Sequence, residues 1–200
     1  LPSSMCNLKK LKYISASSNS LSCIPDEIGQ LSTLTQLWLN NCALTHLPDS
    51  VCNLSNLVKL SIRANKITHL PENLGNLTCL QWINVADNQL AALPTSMAKL
   101  TELCYVNLDK NCLRSIPTCV TSLKKLTVLM LRHNPIPTIP DDIIIELPDL
   151  VKFDMRDTDV TARPAHWKVR ISLYNRHFEI GIEGLWIPTY FMRLSACFLI

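Results

Sequence analysis

Glycine is scarce in this chain, with four residues in 200. That excludes a Gly-rich linker or a disordered low-complexity stretch as its main feature. Charge is scarce too. Charged residues make up 18% and the formal net charge is +3, too little to argue for nucleic acid or an acidic membrane. No C-x-x-C occurs, so the common zinc frame is missing. A membrane span needs about 20 consecutive apolar residues. The last 21 residues, from Ile180, are interrupted by Glu183, Pro188 and Arg193. Membrane association is therefore expected to be peripheral if it occurs.

Proline is what the chain has in order. Pro2, Pro25, Pro48, Pro71, Pro94, Pro117 and Pro140 follow one another at a constant 23 residues. A fixed period of about 20 to 50 residues marks a solenoid or array. The unit from Leu70 reads LPENLGNLTCLQWINVADNQLAA, and the next, from Leu93, reads LPTSMAKLTELCYVNLDKNCLRS. Their shared frame is L-x-x-L-x-L-x-x-N-x-L. The fourth unit fills it with Leu77, Leu80, Ile83, Val85, Asn88 and Leu90.

Within each unit a short L-x-L segment has period two, so it predicts a strand with one face buried. One such strand cannot bury its apolar face alone. Stacked units give a parallel sheet over one continuous core. Proline fixes its own φ and lacks a donor, so the outer arc is expected to hold turns and 3₁₀ pieces. Asn19, Asn65, Asn88, Asn111 and Asn134 share one position, with Cys42 and Thr158 in their place elsewhere. An amide there is expected to bond backbone of its own turn and of the next unit. The seventh unit slips by one residue between Ile139 and Leu147. Its strand frame resumes at Leu150, Phe153 and Met155 and breaks at Arg163-Pro164.

These motifs resemble the leucine-rich repeat family over about residues 1–161, as seven successive units in register. The unit L-P-x-x-[LIVM]-x-x-L is similar to its intracellular 23-residue subclass, which includes polarity scaffolds of the Scribble and Erbin type and Ras-pathway scaffolds. The resemblance implies a horseshoe solenoid of the α/β class, with the sheet on the concave face. It also implies binding of signalling or polarity proteins on that face without catalysis. Residues 1–161 are read as a repeat domain of about seven units, truncated at its N-terminus because it opens inside the frame. Residues 162–200 show no frame and are read as an atypical cap or a poorly ordered tail.

The nine cysteines are scattered over different repeat positions. An odd, unclustered set is not a disulfide framework, and a reduced, cytoplasmic setting is expected.

The register places the outward side chains in columns. One runs Tyr13, Gln36, Lys59, Trp82, Tyr105, Val128, Lys152. The next runs Ser15, Trp38, Ser61, Asn84, Asn107, Met130, Asp154. A third runs Ser17, Asn40, Arg63, Ala86, Asp109, Arg132, Arg156. The fourth runs Ser18, Asn41, Ala64, Asp87, Lys110, His133, Asp157. Aromatics and arginine dominate binding hot spots. The candidate partner-binding residues are therefore Trp38, Lys59, Arg63, Trp82, Tyr105, Asp109, Met130, Arg132 and His133. The competing reading is ordinary surface with aromatic stacking along the sheet. Trp82 and Tyr105 are expected to point to solvent and to be dispensable for folding.

Catalysis has little support. The nearest approach to an acid–base pair is His133 with Asp109 or Asp157, on an open sheet that lacks an enclosed pocket. His46 and His69, one repeat apart, make a poor metal site on their own. No cofactor, metal or nucleic acid is expected. The favoured reading is a non-catalytic cytoplasmic scaffold in signalling or polarity. The alternative is the targeting or regulatory repeat domain of a larger signalling enzyme, such as a kinase, phosphatase complex or cyclase.

Overall fold

Every unit contributes one three-residue strand. The computed structural model describes residues 1–140, 143–161 and 179–181. The strands are β1 (Tyr13–Ser15), β2 (Gln36–Trp38), β3 (Lys59–Ser61), β4 (Trp82–Asn84), β5 (Tyr105–Asn107), β6 (Val128–Met130), β7 (Lys152–Asp154) and β8 (Glu179–Gly181). They form one parallel sheet in chain order. The pairing runs Tyr13, Gln36, Lys59, Trp82, Tyr105, Val128 in the 23-residue frame and then Lys152, one residue later because of the slip in the seventh unit. The central residue of β1 to β7 points inward: Ile14, Leu37, Leu60, Ile83, Val106, Leu129 and Phe153 are all buried.

The periodic proline now has a mechanical role. Pro2, Pro25, Pro48, Pro94 and Pro117 cap 3₁₀ turns with φ between −72° and −61°, close to the value the ring imposes. The carbonyl of each, and of Pro71, accepts the N–H three residues on, as in Val51 to Pro48 at 3.1 Å. The outer arc is thus built of 3₁₀ turns. The seventh unit differs. Its extra residue is taken up by a single α-helical turn, α1 (Ile143–Glu146).

The shared Asn forms a buried ladder, but not in the direction expected. Asn111 Nδ2 donates to the carbonyls of Leu108 and Asp109 in its own turn and of Val85 in the preceding unit, and its Oδ1 accepts the Leu90 N–H at 3.0 Å. Asn65, Asn88 and Asn134 repeat the pattern. The amides reach back to the previous unit, not forward to the next. Cys42 imitates the donor half, with Sγ toward the carbonyls of Ala16 and Asn40. Thr158 keeps only the bond within its own turn, to Met155 at 2.7 Å.

Two glycines are set by contact between units. Gly29 and Gly75 hold the sixth position of their units, on the 3₁₀ arc. A Cβ on Gly29 would lie 2.5 Å from the Ser50 carbonyl oxygen, and one on Gly75 would overlap the Ser96 carbonyl. Backbone must shift to admit either. Gly75→Ala is expected to destabilise the protein by about 1–3 kcal/mol, as overpacking does. A lower urea midpoint at unchanged slope would show it. An unchanged midpoint would mean the neighbouring units can part without cost.

The repeat frame does not continue beyond residue 161. The sheet nevertheless continues there, with Lys152 to Asp154 paired to Glu179 to Gly181. The remainder of the segment read as a cap or tail lies outside the described residues, as does Cys197. No helix among the described residues is long and apolar enough to cross a membrane.

Candidate functional site

Three aromatic rings form one stack across the concave face. Trp38 lies on β2 and Trp82 on β4. Strands are about 4.8 Å apart, so two steps come to about 9.6 Å. Yet the two ring centroids are 5.3 Å apart, at 40°. The side chains therefore lean toward each other over β3. That strand carries Ser61, which is only 1% exposed although it points to the concave face. Trp82 then stacks on Tyr105 at 5.1 Å and 12°. Near-parallel rings this close must overlap face to face, because coplanar rings side by side would collide. All three side chains are half-buried, and burial pushes the Tyr105 hydroxyl pKa up. The expectation that Trp82 and Tyr105 are free solvent-facing groups is thus corrected. Each is packed on a neighbouring unit and contributes to stability, at about 0.5–1.5 kcal/mol per ring pair beyond area burial.

Much of the remaining polar chemistry on the face is turned inward to the backbone. Asn40 Oδ1 accepts the Ser61 hydroxyl at 2.6 Å and the Arg63 N–H at 3.0 Å. Asn84 and Asn107 accept the N–H groups of Ala86 and Asp109. Asp109 accepts the Arg132 N–H at 2.7 Å, and burial pushes its carboxyl pKa up. These four side chains satisfy backbone groups just past the strands, a use that periodicity alone did not reveal. The fourth column departs further from expectation. Ser18, Asn41, Ala64, Asp87, Lys110, His133 and Asp157 have φ between 53° and 58°. They are left-handed turn residues past the strand ends, not strand positions. The strain is of order 1–2 kcal/mol for a non-glycine, and the flanking ladder overrides it.

The charges gather toward the C-terminal end. Asp154 is 2% exposed and accepts a forked pair of bonds from Arg156, at 2.9 Å to Nε and 2.6 Å to Nη2. Asp157 takes His133 at 3.1 Å and Arg132 at 3.5 Å. Of the two carboxylates considered for His133, Asp157 is the one in contact. Met130 is half-buried beside them. Lys59 is half-buried on β3, and Arg63 is exposed past its end. The structure thus brings Trp38, Trp82 and Tyr105 together with Lys59 and Arg63 on and after β3, gathers Arg132 and His133 at Asp157, and sets Asp109 between the two groups, near Tyr105 and bonded to the Arg132 N–H.

His46 and His69 hold their Nδ1 atoms 3.1 and 3.0 Å from the hydroxyls of Thr45 and Thr68. They line an open groove with Asp26, Asp49, Pro25 and Pro48 on the turn side. Among the described residues no group of three or more His, Cys, Asp or Glu is placed to hold a metal ion.

The family profile described as "Leucine-rich repeat region" matches residues 2–86 and 59–155. The chain belongs to the leucine-rich repeat family. Among solved structures it is similar to the leucine-rich repeat domain of the type III effector XopL, at 25% identity and a TM-score of 0.75, covering 91% of this chain and 72% of that one. It is similar to a TDR receptor at 28% identity and TM-score 0.72, covering 79% and 28%. A plant peptide hormone receptor, RGFR1 in complex with RGF2, shares 31% identity at TM-score 0.62, covering 79% and 30%. This leucine-rich repeat chain spans under a third of either receptor's length. No curated protein matches it in sequence.

Proposed function

We propose that this chain is a non-catalytic protein-interaction module that holds a partner protein across its concave face. The observation that carries the reading is the stack of Trp38, Trp82 and Tyr105 on a sheet face that the fold leaves open. Large, rigid aromatics supply contact area at low entropic cost, and they dominate binding hot spots. The family's general use of its repeats in protein–protein contacts supports it, as does the peptide-bound receptor among its structural relatives. Signalling or polarity scaffolding in the cytoplasm is the setting this reading favours. Cysteine usage supports a reducing compartment. Cys6, Cys52 and Cys119 are buried thiols, packed as small apolar side chains. Burial pushes the Cys52 thiol up to about 11, which keeps it protonated and unreactive.

The test is affinity capture with the full chain and with Trp82→Ala/Tyr105→Ala. The double variant is expected to lose about 1–3 kcal/mol of stability with its ring contacts and to remain folded by circular dichroism. Its partner affinity is expected to fall about a hundredfold, the effect of removing two hot-spot side chains. Equal capture by both forms would move the site off the concave face.

A further inference from the structure

We infer that the partner segment seated on the aromatic stack is acidic, with a carboxylate held over the ring edges beside Arg63. This rests on the concave-face reading and specifies the chemistry of the partner.

The first observation is how the rings present themselves. Trp82 and Tyr105 lie nearly parallel at 5.1 Å, and Trp38 closes on Trp82 at 5.3 Å. Their facing surfaces are occupied by one another, so edges are what the stack offers outward. An aromatic edge is the positive pole of the ring quadrupole. Oxygen atoms of a carboxylate fit such edges, whereas a cation would need an open ring face.

The second observation is the guanidinium next to them. Arg63 follows β3, the strand over which the two tryptophans lean. It is exposed, and it forms no ion pair among the described residues. Its positive charge reaches Tyr105, where it opposes the effects of burial and of the Asp109 carboxylate. Lys59 adds a second cation on the same strand.

The third observation is where the face's own carboxylates are. Asp154 is held by Arg156, Asp157 by Arg132 and His133, and Asp109 by the Arg132 N–H. From β1 to β5 and their following turns, the concave columns carry three cations, Lys59, Arg63 and Lys110, against two carboxylates, Asp87 at an exposed turn and the half-buried Asp109. It is the surplus positive charge around the stack that a partner carboxylate would complement. A carboxylate against an arginine is a charge-assisted, forked contact.

Single-stranded nucleic acid would also bring negative charge. It is disfavoured because bases bind by stacking on open ring faces, and the central ring, Trp82, is already flanked by Trp38 and Tyr105. A formal net charge of +3 also offers little to a phosphate backbone.

The experiment selects a displayed library of random peptides on the full chain, counter-selected on Trp82→Ala. An enriched peptide is then synthesised in two forms, one with its Asp and Glu replaced by Asn and Gln. Both are measured by fluorescence anisotropy against the wild type, Arg63→Glu and Arg63→Lys. The stack-dependent peptides are expected to be rich in Asp and Glu. The amide form and Arg63→Glu are each expected to bind about tenfold more weakly or worse, and affinity is expected to fall with salt. Arg63 is exposed, so Arg63→Glu tests charge and not folding. Stack-dependent peptides without acidic bias, or binding indifferent to Arg63→Glu, would overturn the inference and leave the concave site standing. A selection that yields no peptide sensitive to Trp82→Ala would overturn both. Tighter binding of a labelled oligothymidine at the same stack would assign the site to nucleic acid instead.

Discussion

Replacing Asn111 by alanine is expected to destabilise the protein by about 3–5 kcal/mol, from one orphaned buried donor and three lost donated bonds. The bonds can be taken one at a time. The Leu90 N–H loses its acceptor, Oδ1 at 3.0 Å. The Val85 carbonyl keeps a bond from Asn88, and the Leu108 carbonyl keeps one from Asn134. The Asp109 carbonyl still accepts the Asp87 N–H at 2.8 Å. Only the donor at Leu90 is therefore stranded, and the carbonyls lose a second bond each. The chain contains its own intermediate case. Cys42 stands at the same position and donates to two carbonyls without an amide oxygen to accept in return. Asn111→Cys is accordingly expected to fall between the wild type and Asn111→Ala in chemical denaturation. If cysteine costs as much as alanine, the donated bonds contribute little and the ladder's value lies in the accepted one.

This ladder shows what periodicity conveys and what it does not. A 23-residue spacing fixes which residues share a column, because strand pairing with one residue per unit has no other register. Tyr13, Gln36, Lys59, Trp82 and Tyr105 fall in line for that reason. Spacing carries no direction, so the reach of each Asn toward the preceding unit was not legible. Nor is the sign of φ. Ser18, Ala64 and Lys110 have little in common as side chains, and none announces the left-handed turn that all three adopt. Asp87 and Asn41 hint at it, since short polar side chains tolerate that region.

The candidate site was half legible. The columns put Trp38, Trp82 and Tyr105 on one face of the sheet, as the structure has them. Trp38 and Trp82 belong to different columns, two strands apart, so column reasoning kept them separate. Side-chain length brings them together over β3, where the small Ser61 leaves room. A large residue followed by a small one along a column is the signal that could have found this contact. β8 was illegible for a different reason. Glu179 follows its partner Lys152 by 27 residues, outside the frame that identified every earlier strand.

Arg156→Ala is expected to cost about 2–4 kcal/mol at pH 7. This is below the 3–5 kcal/mol typical when a fully buried pair is broken, because Arg156 is half exposed and screened by water. The cost arises at Asp154, which is 2% exposed and would keep its charge without its main partner. Its pH dependence identifies the cause. In the wild type, burial acts to raise the Asp154 carboxyl, but the bonds and charge of Arg156, with help from Arg132, hold it below its usual value. A lowered carboxyl contributes stability above its unfolded pKa of about 3.9, and that contribution is lost as pH falls through the lower folded value. In Arg156→Ala the burial effect dominates and the carboxyl rises above 3.9. Its charged form then destabilises the fold at neutral pH, and the penalty lifts as pH falls through the raised value. The gap between wild type and variant is therefore widest near pH 7 and narrows as pH falls through the variant's raised carboxyl value. Asn84 and Asn107 occupy the same column as Asp154 and accept the equivalent N–H as amides. Asp154→Asn in the Arg156→Ala background should therefore recover stability at pH 7. A gap that does not change with pH, together with no recovery in the double variant, would assign the loss to packing of the arginine stem rather than to a stranded charge.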